Sequence, residues 1–158
     1  MNTQRRTNAS QRQGTTLVET AFVLPVLFFF LFAIIEFGHA QLVNNMLNKA
    51  CRAGARIGSV EGTSSADVVA QVNQTMAPVI DSGDLTVFVN DASVFDSGGT
   101  PPADGAAVEA LPSVEVSDVE PRQMFVIRAR LYYNDIALVP MPFMDGVELN
   151  SQAFMRHE

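Results

Sequence analysis

The chain has 158 residues, of which 47% are hydrophobic and 17% charged, and its formal net charge is −7. A single cysteine excludes an internally disulfide-bonded mini-protein and a zinc site built on several thiolates. The acidic balance argues against a nucleic-acid-binding protein, which needs a basic face to contact phosphate. The length allows one modest domain, or a small domain with an appendage.

Charged residues are segregated along the chain. Arg5, Arg6 and Arg12 lie in residues 1–14, which contain no acidic residue, and all 17 Asp and Glu residues come later. Residues 57–121 contain neither Lys nor Arg. The sequence therefore predicts a basic leader followed by an acidic portion, and we expect that portion to be solvated and to repel other anions.

Residues 21–35 form an apolar run that is interrupted only by Pro25. A helix over residues 15–36 is roughly 30 Å long, about the thickness of the hydrocarbon core of a bilayer. A core helix of a soluble protein would show a polar face at helical spacing, and this run shows none. We predict a transmembrane helix over residues 15–36. Pro25 should kink this helix without ending it, because lipid offers no water to a broken backbone.

The residues on either side of the run set its orientation. The arginines lie before the run, its far side opens with Glu36, and the next basic residue is Lys49. The positive-inside rule then places the N-terminus in the cytoplasm and the chain after about residue 40 outside. Residues 1–14 are accordingly predicted as a cytoplasmic leader, and residues 37–60 as an extracytoplasmic continuation of the helix.

Two interpretations of this N-terminus remain open. In the first, it is an ordinary signal peptide cut after Ala40, since Gly38 and Ala40 are small residues at the required spacing. The product would be a secreted or membrane-anchored acidic domain that binds a partner by itself. In the second, the helix is retained. Glu19 favours the second interpretation, because an ionisable group at the edge of a membrane segment is costly and indicates a partner.

A processing motif precedes the apolar run, with Gly14, four residues, and then Glu19. Downstream segments are Leu-Val-Glu-Thr-Ala-Phe-Val-Leu-Pro at 17–25, Glu-Phe-Gly at 36–38 and Ala-Cys-Arg-Ala-Gly-Ala-Arg at 50–56. Together they resemble the TadE-like pseudopilins, the minor pilins of tight-adherence (Tad/Flp) type IV pilus systems. The resemblance is dense over residues 14–58 and weaker over residues 124–158.

The resemblance implies a single-pass protein of the bacterial cytoplasmic membrane that is not an enzyme. A prepilin peptidase would cut after Gly14, and the product would contribute to assembly of a pilus used for adhesion. The implied partners are the membrane, the peptidase, other pilin or pseudopilin subunits and the assembly machinery.

The residues at the motif suit this role. Gly14 has no side chain, so an extended backbone there can enter a protease cleft closely. Cleavage would free an amine on Thr15, and Glu19 lies about one helical turn away. In a bundle, Glu19 would pair with the amine of a neighbouring subunit, because an unpaired carboxylate is penalised in an apolar interior. The alternative is that Glu19 snorkels to the headgroups and favours the helix N-terminus through the macrodipole.

Two stripes are predicted on the helix beyond the membrane. Ala50, Gly54 and Gly58 are four residues apart, and such small residues let another backbone approach closely, either from the acidic domain or from a neighbouring subunit. The alternative is that the glycines weaken and end the helix, which we favour for Gly58. The second stripe is a basic edge formed by Lys49, Arg52 and Arg56.

Residues 61–158 are predicted to form an acidic α+β domain outside the membrane. The elements expected are a helix over 65–77 capped by Ser64, strands over 85–89, 114–116, 124–133 and 146–156, and a long mobile loop over 91–113. The predicted fold is pilin-like α+β, in which a long N-terminal helix and a short helix pack on a three- to four-stranded antiparallel sheet. Arg128 and Arg130 are expected to pair with carboxylates on a solvated sheet face.

The sequence gives little support for a catalytic function. Neither His39 nor His157 has a second ligand or nucleophile at a recognisable spacing, and the aspartates lack the pattern of a calcium loop. No glycine-rich phosphate motif follows a strand. We therefore expect no metal, no cofactor and no small-molecule substrate. Cys51 is interpreted as a small buried helix residue, with an intersubunit disulfide as the alternative.

Overall fold

The computed structural model describes residues 4–80, 83–96, 98–100 and 104–158, with only the backbone described for residues 4–15. The chain divides into two compact units, Met1–Gly38 and His39–Glu158, called here the N-terminal unit and the C-terminal unit.

Helix α1, Gln4–Gly58, is continuous over 55 residues and contributes to both units. Pro25 lies inside it, so the prediction that this proline does not end the helix is confirmed. The part from Thr16 to Gly58 is long and apolar enough to cross a membrane by length and composition. Gly58 is its last residue, as the sequence favoured.

The described residues of the C-terminal unit form a short helix and a three-stranded antiparallel sheet. In chain order the elements are helix α2 (Ser65–Met76), strand β1 (Thr86–Asp91), helix α3 (Gly105–Glu109), strand β2 (Met124–Tyr132) and strand β3 (Glu148–Arg156). The strand order is β1-β2-β3, so β2 is central and pairs with both neighbours. The predicted pilin-like α+β layout is confirmed.

Helix α2 begins at the predicted cap. The Ser64 hydroxyl accepts a hydrogen bond from the Asp67 N–H at 3.2 Å, and the Asp67 carboxylate accepts one from the Ser64 N–H at 3.1 Å. Two backbone donors at the helix start are thereby satisfied by side chains. The apolar face of α2 is buried through Val68, Val72 and Met76.

The main core lies on one face of the sheet. Phe125, Ile127, Ala129 and Leu131 alternate along β2 and are at most 1% exposed, as the period of two predicts. They belong to one cluster with Val43, Leu47, Ala50 and Ala55 of α1 and with the apolar face of α2. The sheet therefore packs against two helices on this side.

The other face of the sheet carries a second, smaller layer that the sequence did not predict. Ala92, Val108 and Val126 are buried together, with Phe95 and Phe154 packed against them. The described part of the predicted loop 91–113 thus folds onto the sheet and includes α3.

The strand predicted over 114–116 is wrong. The chain makes one isolated bridge there, between Asn90 and Ser113, and then turns into a 3-10 helix over Val116–Asp118. Val116 is fully buried, so its place in the main core explains the apolar residue without a strand.

Within the C-terminal unit, α1 runs opposite to β2. The His39 ring lies 3.1 Å from the carbonyl of Ile136, just beyond the end of β2, whereas a Cβ on Gly58 would lie 3.3 Å from the ring of Phe125, near its start. We call the end at His39 the proximal end and the end at Gly58 the distal end. A nine-residue strand separates them by roughly 30 Å.

Candidate functional site

Gly14 and Thr15 lie within α1 and have a helical backbone. The extended backbone expected at Gly14 is therefore not what the structure shows. One glycine inside a helix costs only about 1 kcal/mol, and Gln4, Arg5, Arg6 and their neighbours include strong helix formers that carry the helix through it. A protease that reads an extended substrate would have to unwind α1 locally at this point.

Glu19 lies on the exposed surface of α1, four residues after Thr15. Residues four apart in a helix share one face, and a helical side chain leans toward the N-terminus. The carboxylate of Glu19 consequently leans toward the backbone nitrogen of Thr15, which becomes an amine if the bond after Gly14 is cut. Among the side chains that the structure describes, none forms an ion pair with Glu19.

The surroundings of Glu19 on the helix are apolar. It is the single charged residue between Arg12 and Glu36. Large apolar side chains of this stretch are all exposed, from 41% to 75%, and include Leu17, Phe22, Val23, Leu24, Leu27, Phe28, Phe29, Phe30, Phe32 and Ile34. An exposed apolar patch of this size marks a surface for lipid or for another protein.

Thr20, next to Glu19, does not break this apolar surface. The Thr20 hydroxyl donates to the carbonyl of Thr16 at 2.8 Å, within the same helical turn. A hydroxyl satisfied by its own helix backbone needs no water. Glu19 is therefore the charged side chain of this described surface, and moving its carboxylate into an apolar environment would cost free energy.

The small-residue stripe of α1 packs against α2 of the same chain. A Cβ on Gly54 would lie 2.8 Å from Cγ2 of Val72, and one on Gly58 would lie 3.0 Å from Cγ2 of Val68. Ala50 is fully buried in the same core. Of the two surfaces left open by the sequence, the structure shows the acidic domain as the one that this stripe contacts.

The basic edge lies on the exposed side of α1. No described carboxylate is within ion-pair distance of Lys49, Arg52 or Arg56. An open groove of about 440 Å³ next to Arg56 is lined by Ala53, Arg56, Ile57, Val60 and Thr63.

Arg128 and Arg130 pair with carboxylates, as expected, but only part of the face they occupy is solvated, since Arg128 is buried and Arg130 is partly exposed. Arg128 is 3% exposed; its Nε lies 2.9 Å from Glu109 and its Nη2 lies 3.3 Å from Glu148. Arg130 reaches the second oxygen of Glu109 at 2.8 Å. Helix α3 covers this face, and Gly105 lies so close that a Cβ there would overlap the Arg128 guanidinium.

Cys51 is a buried free thiol, as the sequence predicted. Its Sγ lies 3.4 Å from the carbonyl of Ser151. Burial raises the pKa of the Cys51 thiol from 9.0 to about 11, against a smaller lowering by the contact with Ser151. A thiol in this state is not nucleophilic at neutral pH. Among the described residues, no group of three or more His, Cys, Asp and Glu side chains comes together as metal ligands.

A comparison with known protein families gives a match that covers most of α1. Residues 14–56 match the family described as TadE-like protein, and the match begins at Gly14. The resemblance predicted from the sequence is confirmed over these residues, while residues 57–158 lie outside the match. No curated protein and no solved structure matches the chain.

Proposed function

We propose that this chain is a minor pilin of the TadE-like type, which is processed after Gly14 and contributes to assembly of a Tad/Flp-type pilus used for surface attachment. Residues 1–14 are the cytoplasmic leader and residues 15–36 span the bacterial cytoplasmic membrane. Residues 37–60 continue the helix outside, and residues 61–158 form the extracytoplasmic domain. The role is structural, so no catalysis is assigned to the chain.

The observation that carries the proposal is the position of Glu19 on α1. It is a lone carboxylate on a helix whose large apolar side chains are exposed, and it shares a face with the future amine of Thr15. When such helices pack together, an unpaired carboxylate would be strongly penalised, whereas a carboxylate paired with an ammonium is not. Glu19 thereby fixes the register in which one subunit packs on the next.

Sequencing the N-terminus of the mature protein from its native host tests the processing step. We expect Thr15 as the first residue. A first residue of Gln41 would support the alternative, a secreted or anchored acidic binding domain released by signal peptidase. An intact Met1 would contradict processing altogether. The buried Ala40, which is 5% exposed, and the contact of His39 with Ile136 support the retained helix, because a cut after Ala40 would remove both from the C-terminal unit.

A substitution at Gly14 tests the peptidase as partner. G14L adds a branched side chain where the protease must approach the backbone, so the variant should keep its leader and a higher mass. T15S, one residue further on, preserves a small hydroxyl residue and should be cut normally. If G14L is processed as fast as T15S, the proposed cleavage site is wrong.

A substitution at Glu19 tests the pairing. E19Q keeps the shape of the side chain but removes its charge, so the chain should insert and be cut while failing to enter assembled pili. E61Q is the matched control, since Glu61 is an exposed carboxylate in the loop after α1. Pili that contain E19Q chains at the level of E61Q chains would rule the pairing out.

A further inference from the structure

The last residue of β2 and the connection to β3, residues 132–147, called here the proximal loop, expose large apolar side chains. Phe143 is 63% exposed, Leu138 61% and Tyr132 47%. The loop contains no Lys or Arg, and its charged residues are the exposed Asp135 and Asp145. It therefore offers apolar surface to a partner without a positive charge that would attract an anionic one.

The position of the proximal loop narrows the choice of partner. His39 is the first residue of the C-terminal unit, and its Nε2 lies 3.1 Å from the carbonyl of Ile136 in the loop. Ile136 and Tyr133 are themselves buried, so the loop is fixed to this end of the unit. The chain continues from His39 into the apolar run, which the proposed function assigns to lipid, so the loop is fixed to the residue at which the C-terminal unit joins that run.

Part of the backbone of the loop, next to Phe143, is hydrogen-bonded within the loop. The Met144 N–H donates to the carbonyl of Met141 at 2.9 Å, and the Val147 N–H donates to the carbonyl of Met144 at 3.2 Å. Pro140 and Pro142 have no N–H to satisfy. Moving backbone donors away from water is costly only when they lose their partner, and these donors keep theirs.

We propose that the proximal loop inserts its apolar side chains, Phe143 and Leu138 foremost, into the interfacial region of the outer leaflet. This inference rests on the membrane anchoring in the proposed function. Because the loop lacks basic residues, its insertion depends on burial of apolar surface and proceeds in a zwitterionic bilayer. The contact holds the domain of an unassembled subunit down on the membrane that anchors it.

Because the chain contains no tryptophan, a single introduced tryptophan can report directly on insertion of the loop. F143W gives a single reporter in the loop, and V94W gives a matched control, since Val94 is 57% exposed and lies next to the start of β2 at the distal end. The full chain is placed in phosphatidylcholine vesicles whose acyl chains carry bromine, which quenches nearby tryptophan. F143W should lose roughly half of its emission, because interfacial side chains lie ~5–10 Å into the headgroup boundary.

V94W should keep nearly all of its emission, and L138W gives a second reading that does not depend on Phe143. Quenching at residue 143 should also persist at high salt. Equal emission of F143W and V94W in vesicles that still carry the protein would overturn the inference and leave the anchoring intact. A chain that does not float with the vesicles would contradict the proposed function itself. The emission of F143W could instead shift to shorter wavelength without being quenched, and this shift could vanish when more lipid is added. That result would show contact with a second copy of the chain and would also overturn the inference.

Discussion

Cys51 illustrates how one buried side chain responds to its surroundings. Its folded-state pKa is raised to about 11 by burial, so the folded chain holds its proton more tightly than the unfolded chain does. The stability linked to this group is complete below pH 9 and is lost as the pH rises toward 11. The loss is on the order of 3 kcal/mol, since each unit of pKa shift corresponds to about 1.4 kcal/mol.

We predict that the Cys51 thiol of the folded protein resists iodoacetamide at pH 8. The thiol is protonated there and is 0% exposed, so alkylation requires unfolding. Mass spectrometry of the product measures the extent of reaction with and without urea. In a C51A background, S117C places a thiol on the exposed 3-10 helix and should react at once. Equal rates at the two positions would contradict the buried site.

His39 shows what the sequence cannot give at the scale of one residue. Its ring lies within hydrogen-bond distance of a carbonyl 97 residues away in the chain. No local pattern encodes a contact of that separation. Gly14 and Glu19, in contrast, are predicted as processing residues from their spacing between a basic leader and an apolar run. The helical backbone at Gly14 does not follow from that pattern, because a motif read by a protease says nothing of its conformation in the free chain.

At the scale of elements, the contact between α1 and α2 depends on the absence of a side chain at Gly54. A Cβ there would lie 2.8 Å from Cγ2 of Val72, a β-branched residue whose rotamer is fixed in a helix. We predict that G54A lowers the free energy of unfolding by about 1–3 kcal/mol, as overpacking does, despite the better helix propensity of alanine. Urea unfolding followed by circular dichroism in detergent measures it.

G38A is the control for G54A in the same helix. A Cβ on Gly38 would meet nothing within 4 Å, so the helix gains propensity without a clash. We expect G38A to be neutral or slightly stabilising. A G54A protein as stable as G38A would mean that the two helices separate easily and that the close contact is not required.

A second element-scale prediction concerns α3. Glu109 pairs with both Arg128 and Arg130, and Arg128 is buried. E109Q removes the charge that balances a buried guanidinium, which costs about 3–5 kcal/mol when one partner of a buried pair is lost. E120Q, at an exposed carboxylate, should change the stability by less than about 0.5 kcal/mol. Thermal unfolding compares the stability of the two variants. Similar stabilities would show that Glu148 alone balances the charge of Arg128.

Prediction of the elements succeeded where periodicity runs long enough. Strands β2 and β3 alternate over nine residues each, and α2 carries a cap together with an apolar face. Helix α3 has five residues and one buried side chain, too few to show a period. Alternation at 114–116 fits a strand and a buried turn equally well. The burial of Arg128 depends on α3, so it was missed for the same reason.

At the scale of the molecule, acid should weaken the fold. Hydrogen bonds from the Ser64 hydroxyl and N–H lower the pKa of Asp67. Burial acts to raise the pKa of Asp91, but hydrogen bonds from Ser93 and Gln123 outweigh it, and the net direction is downward. A carboxyl whose folded-state pKa is depressed stabilises the fold above its unfolded pKa of about 3.9, and that stability is lost as the pH falls through the folded value.

We predict that the urea midpoint of the protein drops as the pH falls below about 4. D91N should be less stable than the wild type at pH 7 and should show a smaller further drop in acid, because the titrating group is gone. D84N removes an exposed carboxylate in the turn before β1 and should keep the full acid dependence. An acid dependence of D91N equal to that of D84N would show that Asp91 makes no contribution.

The chain has two tyrosines, and they are neighbours in sequence at the proximal end. Tyr132 is 47% exposed, whereas Tyr133 is 1% exposed and donates its hydroxyl to the carbonyl of Val139. A nitrating reagent applied to the native protein should therefore add one nitro group, at Tyr132, and a second only after denaturation. The yellow colour of that nitrophenolate would mark the proximal end of the folded chain without any substitution in the sequence.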